Sequence, residues 1–348
     1  MPTPQPATQA KTPKTNWLKR LATIQAREPK HTVGLDLGAS SVKVVVLGAR
    51  KGEAVRPVLG QHVIPLKPGQ DVDASDAIKT AIGALSMPVS TINMAVSGQW
   101  VIMRIIEMPM LKEGELKQAL PYEAQRYLPF NIQDVILDGV MLGPSEGKKA
   151  WVLIVACKKE LLERRIDWAR RAGVTVNLMD VDALALANAF LEQPGEEKAA
   201  EITSALMNVG SLLTNLVIFK GQTPYLVRDI PWGGERLIRH VSENLGVDAD
   251  VIRQQLLKGE LGDETVDPMK LATESLVTEL QLSFDYFENR FSQPPEKVLI
   301  SGGLSQSPRF VETLKSLVTQ TISTWTPAQN LSGQFAVAYG LALRTDHA

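Results

Sequence analysis

Two strand–turn–strand segments, each turning on glycine and lying about half a chain apart, constrain this fold more than any other feature. In the first, two apolar, β-branched runs between residues 33 and 47 flank a tight turn at Gly38. In the second, similar runs between residues 204 and 219 flank a turn at Gly210. Such runs predict hairpins, and helical patterns follow each pair. The order of elements therefore repeats although the sequence does not, which predicts an α/β protein with two equivalent halves.

The length and composition are those of a soluble protein with more than one domain. The 348 residues exceed one ordinary hydrophobic core, and 44% hydrophobic with 22% charged residues is a globular composition. A net charge of -1 gives no sign of the basic face that binds nucleic acid, so no nucleic-acid partner is predicted, although a near-zero sum does not exclude local patches. The single cysteine, Cys157, ends an apolar run and is predicted to be buried. No apolar stretch approaches the ~20 residues of a membrane-spanning helix, which predicts a cytoplasmic protein.

The Gly38 turn has the chemistry of a phosphate-binding loop. Its backbone N–H groups can converge on a phosphate, and Ser40 and Ser41 add hydroxyl donors. Lys43 adds a positive charge, and Asp36, just before the turn, can hold a hydrated Mg²⁺ beside the phosphates. Taken alone, this segment leaves phosphate binding and an ordinary turn equally open.

Further glycine segments favour the phosphate interpretation. The turn that follows Asn208 occupies the equivalent place in the second half. A predicted strand ends in Gly302 and Gly303 before a helix, where bare backbone can lie against a flat base and its sugar. The pair at 233–234, also before a helix, is a fourth candidate. Together these segments predict a cleft between two lobes that holds ATP.

These motifs resemble the actin, sugar kinase and heat-shock chaperone superfamily of ATP-binding proteins, and within it the chain is similar to the PilM family of type IV pilus assembly. The string at 123–130, Glu-Ala-Gln-Arg-Tyr-Leu-Pro-Phe, is the most specific match, and the segments 180–186, 230–237 and 336–342 support it. The resemblance spans residues 31–345. It implies an α/β, two-lobed actin-like (ribonuclease H-like) fold with a small α/β subdomain inserted in the first lobe.

The resemblance also implies a division of the chain. The ranges are a tail at 1–30, a first lobe at 31–96 and 179–200, an inserted subdomain at 97–178, and a second lobe with a helical nucleotide-side subdomain at 201–348. In the tail, residues 15–27 have the spacing of a short amphipathic helix with basic flanks. Contact with the inner membrane surface and docking on the same protein both remain open for this helix.

The motifs and the resemblance together imply a site for ATP and Mg²⁺. The predicted nucleotide-binding residues are Asp36, Gly38, Ala39, Ser40, Ser41, Lys43, Asn208, Gly210, Ser211, Gly233, Gly234, Glu235, Lys258, Gly302, Gly303 and Leu304. Asp36 is the predicted Mg²⁺ residue, through water.

The implied partner is the N-terminal cytoplasmic peptide of a PilN-like inner-membrane protein, bound beside the inserted subdomain. The predicted contact residues are Met108, Pro109, Tyr122, Tyr127, Leu128, Pro129 and Phe130. The family resemblance also implies pilus motor ATPases as partners, a homo-oligomeric ring, and a location peripheral to the inner membrane.

Two departures from the family pattern bear on activity. Asn208 stands where an aspartate is usual, and an amide can neither balance Mg²⁺ charge nor polarise a water molecule. This favours ATP binding over hydrolysis. Trp232 is bulkier than expected and either packs over the nucleotide or fills the core.

Three alternative functions remain open from the residues. A sugar or acid kinase requires a catalytic base near the first turn, and no convincing candidate stands out there. A type II secretion platform protein usually carries a transmembrane segment. A division protein of the FtsA kind is expected to end in an amphipathic membrane helix, for which the segment 341–348 is too short.

Overall fold

Two five-stranded sheets and one three-stranded sheet form the framework of the computed structural model, which describes residues 30–50, 55–66, 73–193 and 202–345. The strands are His31–Leu37 (β1), Ser41–Gly48 (β2), Val58–Pro65 (β3), Thr91–Val96 (β4), Val101–Pro109 (β5), Val135–Pro144 (β6), Lys149–Lys158 (β7), Thr175–Val181 (β8), Thr203–Val209 (β9), Thr214–Lys220 (β10), Thr223–Ile230 (β11), Lys297–Ser301 (β12) and Thr321–Thr324 (β13). The α-helices are Ser75–Gly83 (α1), Glu113–Ala124 (α2), Lys159–Arg171 (α3), Asp182–Glu192 (α4), Gly234–Leu245 (α5), Ala249–Lys258 (α6), Val266–Phe291 (α7), Pro308–Leu317 (α8) and Ala336–Leu343 (α9). The predicted helix at 15–27 lies outside the described residues.

The two large sheets have the same topology. Their strand orders are β3-β2-β1-β4-β8 and β11-β10-β9-β12-β13. In the first sheet, β1 pairs antiparallel with β2 and parallel with β4. In the second sheet, β9 pairs in the same way with β10 and β12. The predicted α/β duplication is therefore confirmed at the level of strand pairing.

Two edge strands, β3 and β13, were not predicted from the sequence. The four residues of β13 include one buried side chain, Ile322, and β3 contains Gly60-Gln61-His62 in its middle. An edge strand is stabilised by pairing with its neighbour, so it needs little apolar periodicity of its own. The second-half counterpart of β3 is β11, and there the apolar run that begins at Tyr225 does predict a strand, over 225–230.

The helical spacing of Leu116, Leu120, Ala124 and Tyr127 predicts a helix over 112–128, and helix α2 is shorter than this. It ends at Ala124, where Arg126 and Tyr127 donate backbone hydrogen bonds three residues back instead of four. Leu128 precedes Pro129, and a residue before proline is disfavoured in the helical region. The specific string at 123–130 is therefore a helix end followed by a loop.

The three-stranded sheet, in the order β5-β7-β6, packs one face against α2. Its core comprises Ile106, Met108, Leu116, Leu120, Ala124, Val152 and Ile154. This sheet lies within the range predicted for the inserted subdomain. From the same range, β8 pairs with β4 and Ala169 of α3 packs in the core of the first sheet. We therefore propose that the insertion ends near residue 158.

The inserted sheet also contacts the second half of the molecule. The ring of Trp151 on β7 lies 6.3 Å from the ring of Tyr225 and 5.5 Å from that of Phe291. The guanidinium of Arg290 lies 4.3 Å from the centre of the Trp151 ring. Cation–π and aromatic contacts of this kind each contribute about 0.5–1.5 kcal/mol beyond area burial. The insertion is therefore covalently part of the first lobe and packed on the second.

Helices α4 and α9 lie in the centre, between the two large sheets. Their residues, among them Ala189 and Tyr339, form a buried cluster with Val45, Leu47 and Phe335 that joins the halves. Burial raises the pKa of Tyr339 to about 12. Gly340 allows α9 to touch the backbone of α4, because a Cβ there would stand 1.7 Å from the carbonyl oxygen of Ala185.

Two further predictions can be compared with the described residues. Cys157 is buried in β7 as predicted, and burial raises the pKa of its thiol to about 11. The thiol is therefore protonated at neutral pH. Across the described ranges, no helix has the length and apolar character needed to cross a membrane.

Candidate functional site

A cavity of about 470 Å³ lies where the two hairpin turns meet. Ten of the predicted nucleotide residues line it, namely Asp36, Gly38, Ala39, Ser40, Lys43, Asn208, Gly210, Ser211, Gly302 and Gly303. The three glycine segments that the sequence separates are therefore brought to one place. This convergence is the central geometric fact about the candidate site.

The first turn, residues 37–41, is closed by a hydrogen bond from the Gly38 N–H to the Ser41 carbonyl, 3.1 Å long. A Cβ on Gly38 would stand 3.3 Å from both Lys43 Nζ and the Ser41 carbonyl oxygen, so the turn is tight. Lys43 Nζ lies 2.9 Å from Asp36 Oδ2, and Asp36 is buried. A cation and a carboxylate thus stand paired beside the turn, where a phosphate and a metal ion could each replace one partner.

The second turn, residues 209–213, is closed by the Gly210 N–H, which donates to the Leu213 carbonyl over 2.9 Å. Its outer side supports the start of α5. The Gly234 N–H donates to the Gly210 carbonyl, and a Cβ on Gly233 would stand 2.5 Å from the Ser211 carbonyl oxygen. The pair at 233–234 therefore supports the second turn from behind and does not itself line the cavity.

Gly302 joins the third segment to the second turn. Its φ is +89°, in the left-handed region that favours glycine, and a Cβ there would stand 2.4 Å from the Val209 carbonyl oxygen. Its neighbour Gly303 has open space on its Cβ side. Bare backbone thus faces the cavity, as the sequence predicted for a base and sugar.

Six predicted residues do not line this cavity: Ser41, Gly233, Gly234, Glu235, Lys258 and Leu304. Glu235 forms an ion pair with Arg253 at 2.6 Å, and Lys258 is exposed at the end of α6. Their role in nucleotide binding stays a prediction. Trp232 is buried, donates from Nε1 to the Ala272 carbonyl over 3.0 Å and stacks on Phe310. Of its two interpretations, core filling is the one that the structure supports.

Asp182, the first residue of α4, lines the cavity and was not predicted from the sequence as a site residue. Burial, and then the nearby Asp36 carboxylate, raise the pKa of Asp182 to about 7, while Arg165 acts in the opposite direction. A charged residue at a strand-to-helix junction, between the apolar Val181 and Ala183, was the signal that could have identified it. Two carboxylates facing one cavity supply the hard oxygen ligands that Mg²⁺ prefers, so the residues fit that ion.

Helix α3 also lines the cavity, through Leu161 and through three larger polar or aromatic residues that were not predicted, Arg164, Arg165 and Trp168. We call them the α3 wall. They lie more than 120 residues from the first turn in sequence, and no local pattern in the helix distinguishes them from ordinary surface charges. They reach the cavity because α3 packs on the first sheet, which is a tertiary contact that the local sequence does not indicate.

A chain of hydrogen bonds connects the second turn to the inserted sheet. Asn208 Nδ2 donates to Asn215 Oδ1 over 2.9 Å, and Asn215 Nδ2 donates to Asp229 Oδ1 over 2.7 Å. The Gly98 N–H, just before β5, donates to Asp229 Oδ2 over 2.8 Å. Burial raises the pKa of Asp229, and these two donors oppose that rise. The amide of Asn208 therefore has a structural partner that a carboxylate could not satisfy in the same way.

Asn208→Asp is expected to lower the free energy of unfolding by about 1–3 kcal/mol. A carboxylate oxygen would then face the Asn215 Oδ1 acceptor, or the Asn215 amide would turn round and lose its hydrogen bond to Asp229. The loss should be larger at pH 8 than at pH 5, since a protonated carboxyl can still donate. Urea denaturation at both pH values measures it. Asn330→Asp, at an exposed position, is the control and should stay within about 0.5 kcal/mol of wild type. Equal stability of Asn208→Asp and wild type at pH 8 would contradict this hydrogen-bond chain.

Two topologically equivalent halves around a cleft lined by glycine turns define an actin-like protein. The family described as type IV pilus assembly protein PilM matches residues 34–346, and the chain belongs to that family. The fold and the family predicted from the sequence are thereby confirmed.

Solved structures show the same fold. The chain is similar to the PilM-PilN type IV pilus biogenesis complex, with 23% identity over 90% of this chain and 98% of that chain and a TM-score of 0.78. It is similar to the ethanolamine utilization protein EutJ from Carboxydothermus hydrogenoformans, with 12% identity over 90% of each chain and a TM-score of 0.57. It is also similar to a diol dehydratase-reactivating factor, with 8% identity over 90% of this chain and 99% of that chain and a TM-score of 0.52.

Proposed function

We propose that the chain is a cytoplasmic ATP-binding assembly protein of the type IV pilus inner-membrane platform. ATP with Mg²⁺ occupies the cavity between the lobes, and the N-terminal cytoplasmic peptide of a PilN-like membrane protein binds to the inserted subdomain. The observation that carries the proposal is the convergence of three glycine segments, two carboxylates and Lys43 on one cavity, in a chain of the PilM family.

Each group at the cavity has a role in holding Mg²⁺ and ATP. The backbone N–H groups of the two turns bind phosphate oxygens, and Lys43 neutralises their charge. Asp36 and Asp182 would hold Mg²⁺, whose charge would offset the repulsion between the two carboxylates. Gly302 and Gly303 leave room for the base and sugar. Mg²⁺ itself supplies charge neutralisation and orients the phosphates.

The geometry supports binding with slow or absent turnover. Asn208 donates its amide to Asn215, so it is a structural group and carries no charge for the metal. Asp182 lines the cavity, and without a bound metal ion its pKa of about 7 suits a general base. The lack of a candidate base therefore no longer argues against a kinase. The family to which the chain belongs is what disfavours that alternative.

The proposed partner surface is the exposed part of the predicted residues. Tyr122 is 79% and Tyr127 42% exposed, so both can contact a peptide directly. Lys158 Nζ lies 4.1 Å from the ring centre of Trp100 and 4.6 Å from that of Phe130, which holds the loop at 128–130 in place. Pro109 is exposed at the end of β5.

Met108 stands apart from the other predicted contact residues. It is 2% exposed and packs under α2, in the core of the inserted subdomain. It is therefore removed from the surface that a partner can contact in this conformation, and we keep it in the proposal only as support for that surface.

Calorimetry on the full chain tests both parts of the proposal. ATP with Mg²⁺ should bind to the wild type, and so should a synthetic N-terminal peptide of the PilN-like protein from the same organism. Tyr127→Ala should weaken the peptide by about tenfold, as loss of an aromatic contact of ~1.4 kcal/mol predicts, and leave ATP binding unchanged. Leu257→Ala, 77% exposed on α6, is the control and should change neither. Absence of peptide binding by the wild type would contradict the partner, and absence of ATP binding would contradict the nucleotide.

The wider assembly completes the proposal. In it, the chain interacts with pilus motor ATPases and assembles into a homo-oligomeric ring. It also contacts the inner membrane peripherally through residues 15–27, which lie outside the described residues. Co-purification with the motor proteins and liposome flotation of the full chain test these points.

A further inference from the structure

The cavity continues past the two turns to the α3 wall, and this part of it has no assigned ligand. Arg165 is half-buried there. Its Nη1 donates to the Leu37 carbonyl, the residue just before Gly38, over 3.1 Å. Its Nε is shielded from solvent and has no hydrogen-bond partner among the described residues. A guanidinium has five N–H donors, of which the structure pairs one with the Leu37 carbonyl, and Arg165 lines the cavity, so its remaining terminal N–H groups can donate to an anionic ligand there.

Arg165 shares its charge neighbours with the proposed metal site. Burial lowers the pKa of Arg165, while the carboxylates of Asp182 and Asp36 act against that shift. Lys43 is also paired with Asp36. Lys43 and Arg165 therefore share the carboxylates of Asp36 and Asp182 as charge neighbours, and Arg164 is a third cation in the cavity lining. When the carboxylates take a divalent cation, both Lys43 and Arg165 lose part of their counter-charge and require new anionic oxygens.

Resting on the proposed ATP site, we propose that Arg165 binds the terminal phosphate of a nucleoside triphosphate and makes the cavity selective for triphosphate over diphosphate. The glycine backbone for base and sugar lies on the second lobe, at the end of β12, and Arg165 enters from the first lobe, beside the opposite turn. Both groups line one cavity, so in the proposed arrangement the polyphosphate extends from Gly303 across the two turns and its terminal phosphate meets Arg165. A diphosphate is one phosphate shorter and does not reach it.

The position of α3 connects this contact to the partner surface. Helix α3 begins at Lys159, directly after β7 ends at Lys158. Lys158 is the residue held between the rings of Trp100 and Phe130. A phosphate bound at Arg165 therefore acts on the helix that continues the central strand of the inserted sheet. We expect triphosphate, and not diphosphate, to strengthen peptide binding.

The experiment titrates the full chain with ATP and separately with ADP, both with Mg²⁺, by calorimetry. Wild type should bind ATP about tenfold or more tightly than ADP. Arg165→Gln should weaken ATP by about tenfold to a hundredfold, the range for a charge-assisted hydrogen bond, and leave ADP unchanged. Arg165→Lys keeps the charge, so its ATP affinity should lie between those of wild type and Arg165→Gln. Arg170→Gln, on the exposed side of the same helix, is the matched control and should behave as wild type.

Each outcome bears on the inference. Equal weakening of ATP and ADP in Arg165→Gln, or no change in either, would overturn it and leave the proposed ATP site standing. Failure of the wild type to bind either nucleotide would overturn the proposed function together with the inference. Circular dichroism identifies a variant that fails to fold, and in that case Arg165→Lys decides. A peptide affinity that is equal with ATP and with ADP would contradict the connection to the partner surface.

Discussion

Asp182→Asn is expected to stabilise the nucleotide-free protein at pH 8 and to leave its stability nearly unchanged at pH 4. The pKa of Asp182 is about 7 in the folded protein, above the ~3.9 of an unfolded chain. The folded state therefore holds this proton more tightly. The carboxyl costs no stability below the unfolded pKa, and its cost grows as the pH rises from about 4 to 7. Replacing it with a neutral amide removes that cost.

The size of this effect follows from the pKa difference. A shift of about three units corresponds to ~4 kcal/mol at most, and solvent in the cleft reduces it to about 1–2 kcal/mol. Thermal unfolding of wild type and Asp182→Asn between pH 4 and pH 8 measures the difference. Asp134→Asn, at an exposed position, should show no such pH dependence. A constant difference between wild type and Asp182→Asn at all pH values would contradict the raised pKa.

The same substitution should have the opposite effect on ligand binding. The ionised Asp182 carboxylate lowers the stability of the protein but is the ligand that Mg²⁺ needs. Asp182→Asn should therefore weaken Mg²⁺-dependent ATP binding by about tenfold or more. ATP affinity with and without Mg²⁺ gives this result directly. A variant that is more stable when empty and binds Mg²⁺–ATP as tightly as wild type would exclude Asp182 from the metal site.

Gly340→Ala is expected to destabilise the whole molecule by about 3 kcal/mol or more, at the upper end of the cost of overpacking a core. The added Cβ would stand 1.7 Å from the carbonyl oxygen of Ala185, and a backbone atom cannot move aside as a flexible side chain can. Helix α9 would therefore have to separate from α4. Because both helices lie between the large sheets, this displacement should also loosen the cavity.

Guanidinium denaturation measures the effect, and the chain offers a matched control. Gly83, at the end of α1, has nothing within 4 Å of the position of a Cβ. Gly83→Ala should be neutral or stabilising by up to about 1 kcal/mol, because alanine favours the helix. If Gly340→Ala were as stable as Gly83→Ala, the close packing of α9 on α4 would be wrong.

The amount of fold that could be predicted differed between elements for physical reasons. The hairpins at Gly38 and Gly210 were predictable because short β-branched runs and tight glycine turns are local features. The edge strands β3 and β13 were not, because pairing with a neighbour stabilises them more than their own pattern does. The end of α2 was placed too late because its apolar spacing continues to Tyr127 while the backbone already leaves the helix.

The residues of the candidate site also differed in whether the sequence could predict them. Residues on the glycine turns were recognisable because their backbone chemistry is written in the local sequence. Asp182 and Arg165 were not, because a carboxylate or a guanidinium acquires its role from charged neighbours. Those neighbours, Asp36 above all, lie far away along the chain.

The sequence by itself determined that this chain has two equivalent α/β halves with glycine turns suited to phosphate, and that it belongs among the actin-like proteins. Only the tertiary structure decided which charges face the cavity and how the inserted sheet contacts both lobes. The physical reason is distance. Turn geometry and strand propensity act over a few residues, whereas burial and Coulomb interactions depend on groups that meet only after the sheets have packed.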